Sequence, residues 1–192
     1  MLAQLRPALV MITSVTLLTG VAYPLAMTGL LQVALPSSAN GSLINRGNAI
    51  VGSKLIGQSF TSDRYFWPRP SSAGEKGYDA ANSSGSNLGP ISKKLIERVE
   101  GDVATLRKAG ATTIPADAVT PSASGLDPHI SPAFATLQIA RVAGARKISE
   151  AQIRALVEAA IERPALGLLG EPRVNLLQLN LALDAMRPEG AG

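Results

Sequence analysis

From Pro7 to Asn45 the chain carries no charged side chain, and from Ala8 to Leu35 it is almost continuously apolar. A helix rises about 1.5 Å per residue and the hydrocarbon core of a bilayer is roughly 30 Å thick, so about 20 such residues suffice to cross it. The pattern predicts a transmembrane helix over residues 7–35 behind a short tail, residues 1–6. Gly20, Pro24 and Gly29 do not break it, because hydroxyls such as Thr19 and Thr28 or neighbouring helices satisfy freed backbone groups, and a bend is expected near Pro24. The alternative is a cleavable secretory signal, with Arg6 as its basic end and Ser37 and Ala39 as small residues near a cleavage point. Signal cores of about 7 to 15 residues are shorter than this one, which favours the anchor.

Beyond the anchor the pattern changes. Residues 36–52 are polar and turn-prone and read as a linker; residues 53–187 read as one soluble domain and 188–192 as a flexible tail. Short strands are expected at Ser53–Ile56, Tyr65–Arg69 and Ala118–Pro121. Ile91, Leu95, Ile96, Val99, Val103 and Leu106 recur at helical spacing and predict an amphipathic helix over 91–109, closed by Gly110. Ser71 to Pro90 and Ser122 to Ile130 read as long loops. Ser131 then caps a helix begun by Pro132 and running to about Arg146. Ser149 and Gln152 form the capping box of a helix over 150–163. At the end, Arg173 to about Leu177 reads as a strand passing into a terminal helix. The fold class is α+β: a single N-terminal transmembrane helix followed by one extracytoplasmic, helix-rich α+β domain.

Charge decides little about orientation, since Arg6 on one side is nearly balanced by Arg46 and Lys54 on the other. The short leading tail favours a cytoplasmic N-terminus with the domain outside the cytoplasm. The net charge of +4 is spread out, and aromatics are only 4% of the chain, which argues against nucleic acid, a partner that needs basic stripes and stacking platforms. Without cysteine, neither disulfides nor thiolate metal centres are available.

The chemistry motifs are near misses. Gly52 to Ser59 has the glycine spacing of a phosphate loop, but Gln58 stands where the lysine belongs, so a tight turn at Gly57 is the expectation. Ser122, Ser124, Asp127 and His129 hold the residue types of a hydrolase triad within eight consecutive positions; so local a set reads as turn caps. His129 is the sole histidine, and an Asp127 and Glu171 pair for a hard cation finds no support in spacing, so no catalytic residue and no metal site is expected. Two clusters point instead to contacts. Tyr65-Phe66-Trp67-Pro68-Arg69 gathers the side chains that dominate buried interfaces, the other reading being a rim packed on the domain's own core. Gly167 to Asn175 is a shaped turn carrying Glu171 and Arg173.

YFWPRPSSA at 65–73, SSGSNLGP at 83–90, VTPSASGLDPHIS at 119–131, QIARVAGAR at 138–146 and LGEPRVNLLQLNLALD at 169–184 together resemble the C chain of Kdp-type potassium-transporting ATPases, in order and over nearly the whole chain. Ser84 and Lys147 are small departures from that pattern. The resemblance implies a non-catalytic accessory subunit of the bacterial inner membrane. It implies partners as well: a channel-like potassium-binding chain, a P-type ATPase chain, a very small chain and membrane lipid. It further implies a catalytic-chaperone role that raises ATP affinity, with Ser149 and Gln152 as nucleotide contacts, so that ATP is met through the partner ATPase chain and no cofactor is held firmly. Tyr65, Phe66, Trp67, Arg69, Asn87, Asp127, His129, Glu171, Arg173 and Asn175 are the candidate subunit-interface residues. A membrane-anchored exported hydrolase or ligand-binding domain is the alternative.

Overall fold

A computed structural model describes residues 2–186; the expected tail at 188–192 lies outside the described residues. The chain forms two compact units, Met1–Val51 and Gly52–Gly192.

In the first unit, α1 (Leu5–Ala34) is a continuous helix with mean hydropathy 1.8 and none of its most apolar window buried, long and apolar enough to cross a membrane. Leu18–Ala22 is π-helical, directly ahead of Pro24. Proline has no N–H to give to the preceding turn, and a π-bulge is one way a helix absorbs that loss. Thr19 returns its hydroxyl to the Val15 carbonyl at 2.8 Å. One further helical turn, Pro36–Ala39, leads to β1 (Leu43–Arg46), which pairs with β2 (Ala49–Ser53) in a two-stranded sheet. This hairpin corrects the reading of 36–52 as plain linker and moves the strand expected at 53–56 upstream. Gly47, with φ at +62°, makes the turn that the pattern left unread.

The second unit is a helical core with a small sheet. Its elements are α2 (Lys93–Lys108), β3 (His129–Ile130), α3 (Pro132–Leu137), α4 (Ile139–Arg146), α5 (Glu150–Ala159), β4 (Ile161–Glu162), β5 (Arg173–Asn175) and α6 (Leu176–Ala185). The strands are antiparallel in the order β3-β5-β4, with His129 opposite Asn175 and Glu162 opposite Arg173. Phe66, Phe134, Ile139, Val142, Ile153, Val157, Val174, Leu179 and Leu183 form the core.

Several expected boundaries shift for identifiable reasons. Gln138 leaves helical regularity, at φ −90° and ψ −7°, and splits the expected 132–146 helix in two. The helix from Glu150 stops at Ala159 because Ile161 and Glu162 are drawn into the sheet against β5. The strand expected at 118–121 does not form; Ala116–Ala118 is a 3-10 turn and residues 119–121 are in no strand. The Ser131 and Ser149 caps form as read, each hydroxyl accepting an N–H three residues on. Gly110, at φ +93°, follows α2, and Ala111 N–H closes the helix end on the Leu106 carbonyl.

The two Ser- and Gly-rich loops are zipped to one another. Ser84 N–H and the Ser83 hydroxyl both donate to the Ser124 carbonyl, and the Ser71 hydroxyl donates to the Gly125 carbonyl at 2.6 Å. Gly57 donates to the Leu126 carbonyl at 2.8 Å, and a Cβ there would meet Asp127 O at 2.5 Å. Gly57 is therefore fixed by close backbone approach, and no phosphate cradle forms around it.

Candidate functional site

The Tyr65–Arg69 segment is not a strand: Tyr65 lies in a bend and residues 66–69 belong to no helix or strand. Its backbone partners are two buried side-chain amides. Asn180 of α6, 1% exposed, accepts Phe66 N–H at 2.9 Å and donates to the Phe66 carbonyl at 3.0 Å. Gln138, 3% exposed, does the same for Trp67 at 2.7 and 3.2 Å. Each carboxamide thus supplies the donor and acceptor that a neighbouring strand would otherwise give. Two arginines close over the aromatic rings. Arg141 lies 3.6 Å above Trp67 and donates to the carbonyls of Asp63 and Tyr65 and to Gln138. Burial lowers its pKa to about 10, with Asp63 opposing, so it stays cationic at neutral pH. Arg146 stacks 4.8 Å from Tyr65 and binds Asp184 at 2.7 Å, and the Tyr65 hydroxyl donates to the same carboxylate. Phe66, a candidate interface residue by its sequence neighbourhood, is 0% exposed and gives its ring to the chain's own core.

Arg69 belongs to a second arrangement, facing outward. Its guanidinium meets Asp127 at 2.7 Å and the Thr120 carbonyl at 3.3 Å. Asp127 accepts the His129 N–H at 2.9 Å, and the His129 ring lies 3.5 Å from Asp127 and 3.9 Å from Glu162. Glu162 pairs with Arg173 directly across the β4–β5 ladder at 3.0 Å. The ion pairs Arg69–Asp127 and Glu162–Arg173 thus flank the His129 ring in one row. Burial pushes the Asp127 carboxyl up, but the hydrogen bonds from His129 and the Arg69 guanidinium outweigh it and hold the pKa at about 2. Behind this row, burial foremost raises the Tyr78 phenol, whose hydroxyl donates to the Arg69 carbonyl.

The row borders an open groove of about 590 Å³, lined by Arg69, Asp127, His129, Arg173 and the exposed Glu171. Five of the residues expected at an interface are therefore brought together from three stretches of chain, 69, 127–129 and 171–173. Glu171 has no ion pair among the described residues. Asp117 also lines the groove and fixes its floor by accepting both the N–H and the hydroxyl of Ser131. Asn175 is buried beneath, capping α6 through Gln178 N–H and donating to the Lys54 carbonyl. Asn87 is exposed at φ +51° and lies outside the groove lining.

The geometry supports contact more than bond-making. Ser124 accepts Leu126 N–H and pairs with Ser122, while the ring of His129 faces Asp127 and Glu162, so the hydrolase residue types are spread over separate turn contacts. Among the described residues no group of three or more His, Cys, Asp or Glu side chains could hold a metal. Ser149 spends its hydroxyl on the cap of α5, and Gln152 lies exposed in the first turn. Sequence reasoning missed Gln138, Asn180, Arg141, Arg146 and Glu162. For Asn180 the signal was a polar residue on an otherwise apolar helix face, between Leu179 and Leu183; Glu162, in a two-residue strand, left none.

The comparisons with known proteins agree with this order of motifs. The family model described as "KdpC: K+-transporting ATPase, c chain" matches residues 5–185. A Caulobacter vibrioides protein called potassium-transporting ATPase KdpC subunit is 55% identical over 98% of this chain and 96% of its own length. Proteins of the same name from Rhodopseudomonas palustris and Rhodospirillum rubrum are 53% and 54% identical, covering 98% of this chain and 100% and 98% of their own. Matched from α1 to the end of α6, the chain belongs to the KdpC family.

Proposed function

We propose that this chain is a non-catalytic accessory subunit of a potassium-transporting ATPase, and that it works by stabilising the association of the pump's other chains. The observation that carries the reading is the groove lined by Arg69, Asp127, His129 and Arg173, in which the fold positions the ion pairs Arg69–Asp127 and Arg173–Glu162, with exposed Glu171 at its rim making no ion pair among the described residues. Prepaired charges suit recognition, because little side-chain order is left to impose on binding, and complementary charge sets the register of a partner. On this reading α1 crosses the bacterial inner membrane with the N-terminus cytoplasmic, the domain lies outside, and the partners are the channel-like, ATPase and small chains.

Glu171→Lys and Arg173→Glu test it. Neither touches the core: Glu171→Lys should keep its unfolding midpoint, and Arg173→Glu, which sets two carboxylates opposite each other at Glu162, should lose no more than about 1 kcal/mol. The pump chains recovered with an affinity-tagged subunit should fall at least about tenfold, the effect of losing roughly 1.4 kcal/mol. Unchanged recovery with both variants overturns the proposal. The implied rise in ATP affinity is assigned to the assembled ATPase chain, with no direct nucleotide contact here. Gln152→Ala should then leave the pump's KM for ATP unaltered, and a reporter fused after residue 192 should register outside the cytoplasm. A raised KM together with a cytoplasmic reporter favours the nucleotide-contact reading instead.

A further inference from the structure

Between β4 and β5 the chain leaves the domain as a narrow loop bracketed by Pro164 and Pro172. At its tip Leu166 is 91% exposed, Leu168 86% and Leu169 66%. Isolated exposed leucines are ordinary, but three on one loop tip are not. The backbone holds them outward: Leu166, Gly167 and Gly170 all have positive φ, at +54°, +74° and +94°, and Leu166 tolerates that conformation without glycine's freedom. The loop also uses up its own polar groups. Ala165 and Leu169 exchange both backbone hydrogen bonds, Gly167 donates to the Pro164 carbonyl and Leu168 to the Ala165 carbonyl. Four of the five N–H groups from 165 to 169 are therefore satisfied within the loop, which is what an apolar medium demands of backbone and water does not.

We propose that this leucine tip is a second membrane contact, inserting shallowly into the bilayer that holds α1. The inference rests on the anchor reading of α1. Residues 35–51 join that helix to the domain, and fully extended they reach at most about 60 Å, so the bilayer is always at hand. The tip is convex and purely aliphatic. Protein interfaces draw their binding energy from Trp, Tyr and Arg, with leucine under-represented, whereas shallow insertion into lipid is paid in aliphatic area. Of the exposed charges beside the loop, Arg163 favours anionic headgroups and Glu171 opposes them, so the insertion is carried by the leucines.

The chain has no cysteine, so a single introduced thiol is a clean reporter. Leu168→Cys in the full chain, labelled with an environment-sensitive fluorophore, is reconstituted in vesicles of phosphatidylethanolamine and phosphatidylglycerol. Quenching by lipids brominated near the headgroup should exceed that of a probe at Glu158→Cys, exposed on α5, at least about threefold, and aqueous iodide should quench it correspondingly less. A Leu168→Cys probe open to iodide while a Met11→Cys probe in α1 is quenched by lipid overturns the insertion and leaves the anchor standing. A probe shielded from iodide but untouched by brominated lipid means self-association and overturns it as well. No lipid quenching at either position fells the anchor reading and this inference with it.

Discussion

Two stretches of the domain carry a similar sequence signature, bulky side chains in a proline-broken segment beside an arginine, and fold to opposite ends. Phe66 in the first is wholly buried and its backbone is held by Asn180. The leucines of the second, 166, 168 and 169, are exposed on a loop whose backbone hydrogen bonds, among the described residues, close on the loop itself. The difference lies in what the rest of the chain supplies. Asn180 and Gln138 arrive on α6 and at the α3–α4 break to satisfy residues 66 and 67, and the two arginines of α4 lie over the flanking rings. Among the described residues nothing equivalent reaches the leucine loop. Composition announces that a segment makes contacts; only the distant polar residues tell whether the contact is with the chain itself.

The widest gap between the two regions should appear on truncation. Phe66→Ala removes a ring from the centre of the core and should cost about 3–5 kcal/mol. Trp67 is the sole tryptophan and lies under Arg141, so its fluorescence reports unfolding in urea directly. Asn180→Leu keeps the volume but strands the Phe66 N–H and carbonyl, each costing about 1–3 kcal/mol when buried without a partner. A loss well below 1 kcal/mol would mean that the segment is held by its rings and not by the amide.

The loop zipper gives the next effect. Gly57→Ala places a Cβ 2.5 Å from Asp127 O and 2.6 Å from the Tyr78 ring, and backbone cannot yield as a side chain does. About 1–3 kcal/mol of overpacking strain is expected, read as a lowered urea midpoint. A neutral result would show that the 122–127 loop is free to shift.

Much of this was legible in advance. The α1 span, the Ser131 and Ser149 caps and the Gly110 stop are local physics, written within a few residues of where they act. The gathering of Arg69, Asp127, His129, Glu171 and Arg173 into one groove was visible only as separate candidates, because their proximity depends on the β3-β5-β4 order. Tyr65–Arg69 reads as a strand from its aromatics, but the partners of its backbone are side chains 70 residues or more away, which no local pattern shows. The two-residue strands β3 and β4 are too short to alternate, so their pairing with β5 left no periodic trace.

A smaller effect separates the groove from both regions. Asp127 titrates at about 2 when folded, below the ordinary 3.8, so between those values the unfolded chain binds more protons than the folded one. Its contribution is complete above about pH 4 and vanishes as the pH falls through about 2. Asp127→Asn should therefore be less stable than the parent at pH 5, by about 1–2 kcal/mol. The two urea midpoints should converge towards pH 2. A constant difference across that range would assign the loss to the turn at His129 and not to the Arg69 ion pair.

The smallest effect belongs to the tip. Leu166→Ser with Leu168→Ser removes large apolar side chains, as Phe66→Ala does, yet here they are already in water, so no cavity forms and no transfer energy is lost. Both states of the detergent-solubilised chain expose these positions equally, and the urea midpoint followed at Trp67 should move by no more than about 0.5 kcal/mol. A clear destabilisation would mean that the leucines pack against the domain in solution, and the loop would then join Phe66 as core. A neutral result leaves their exposure unexplained by folding, which is the condition under which a surface outside the chain is needed to account for them.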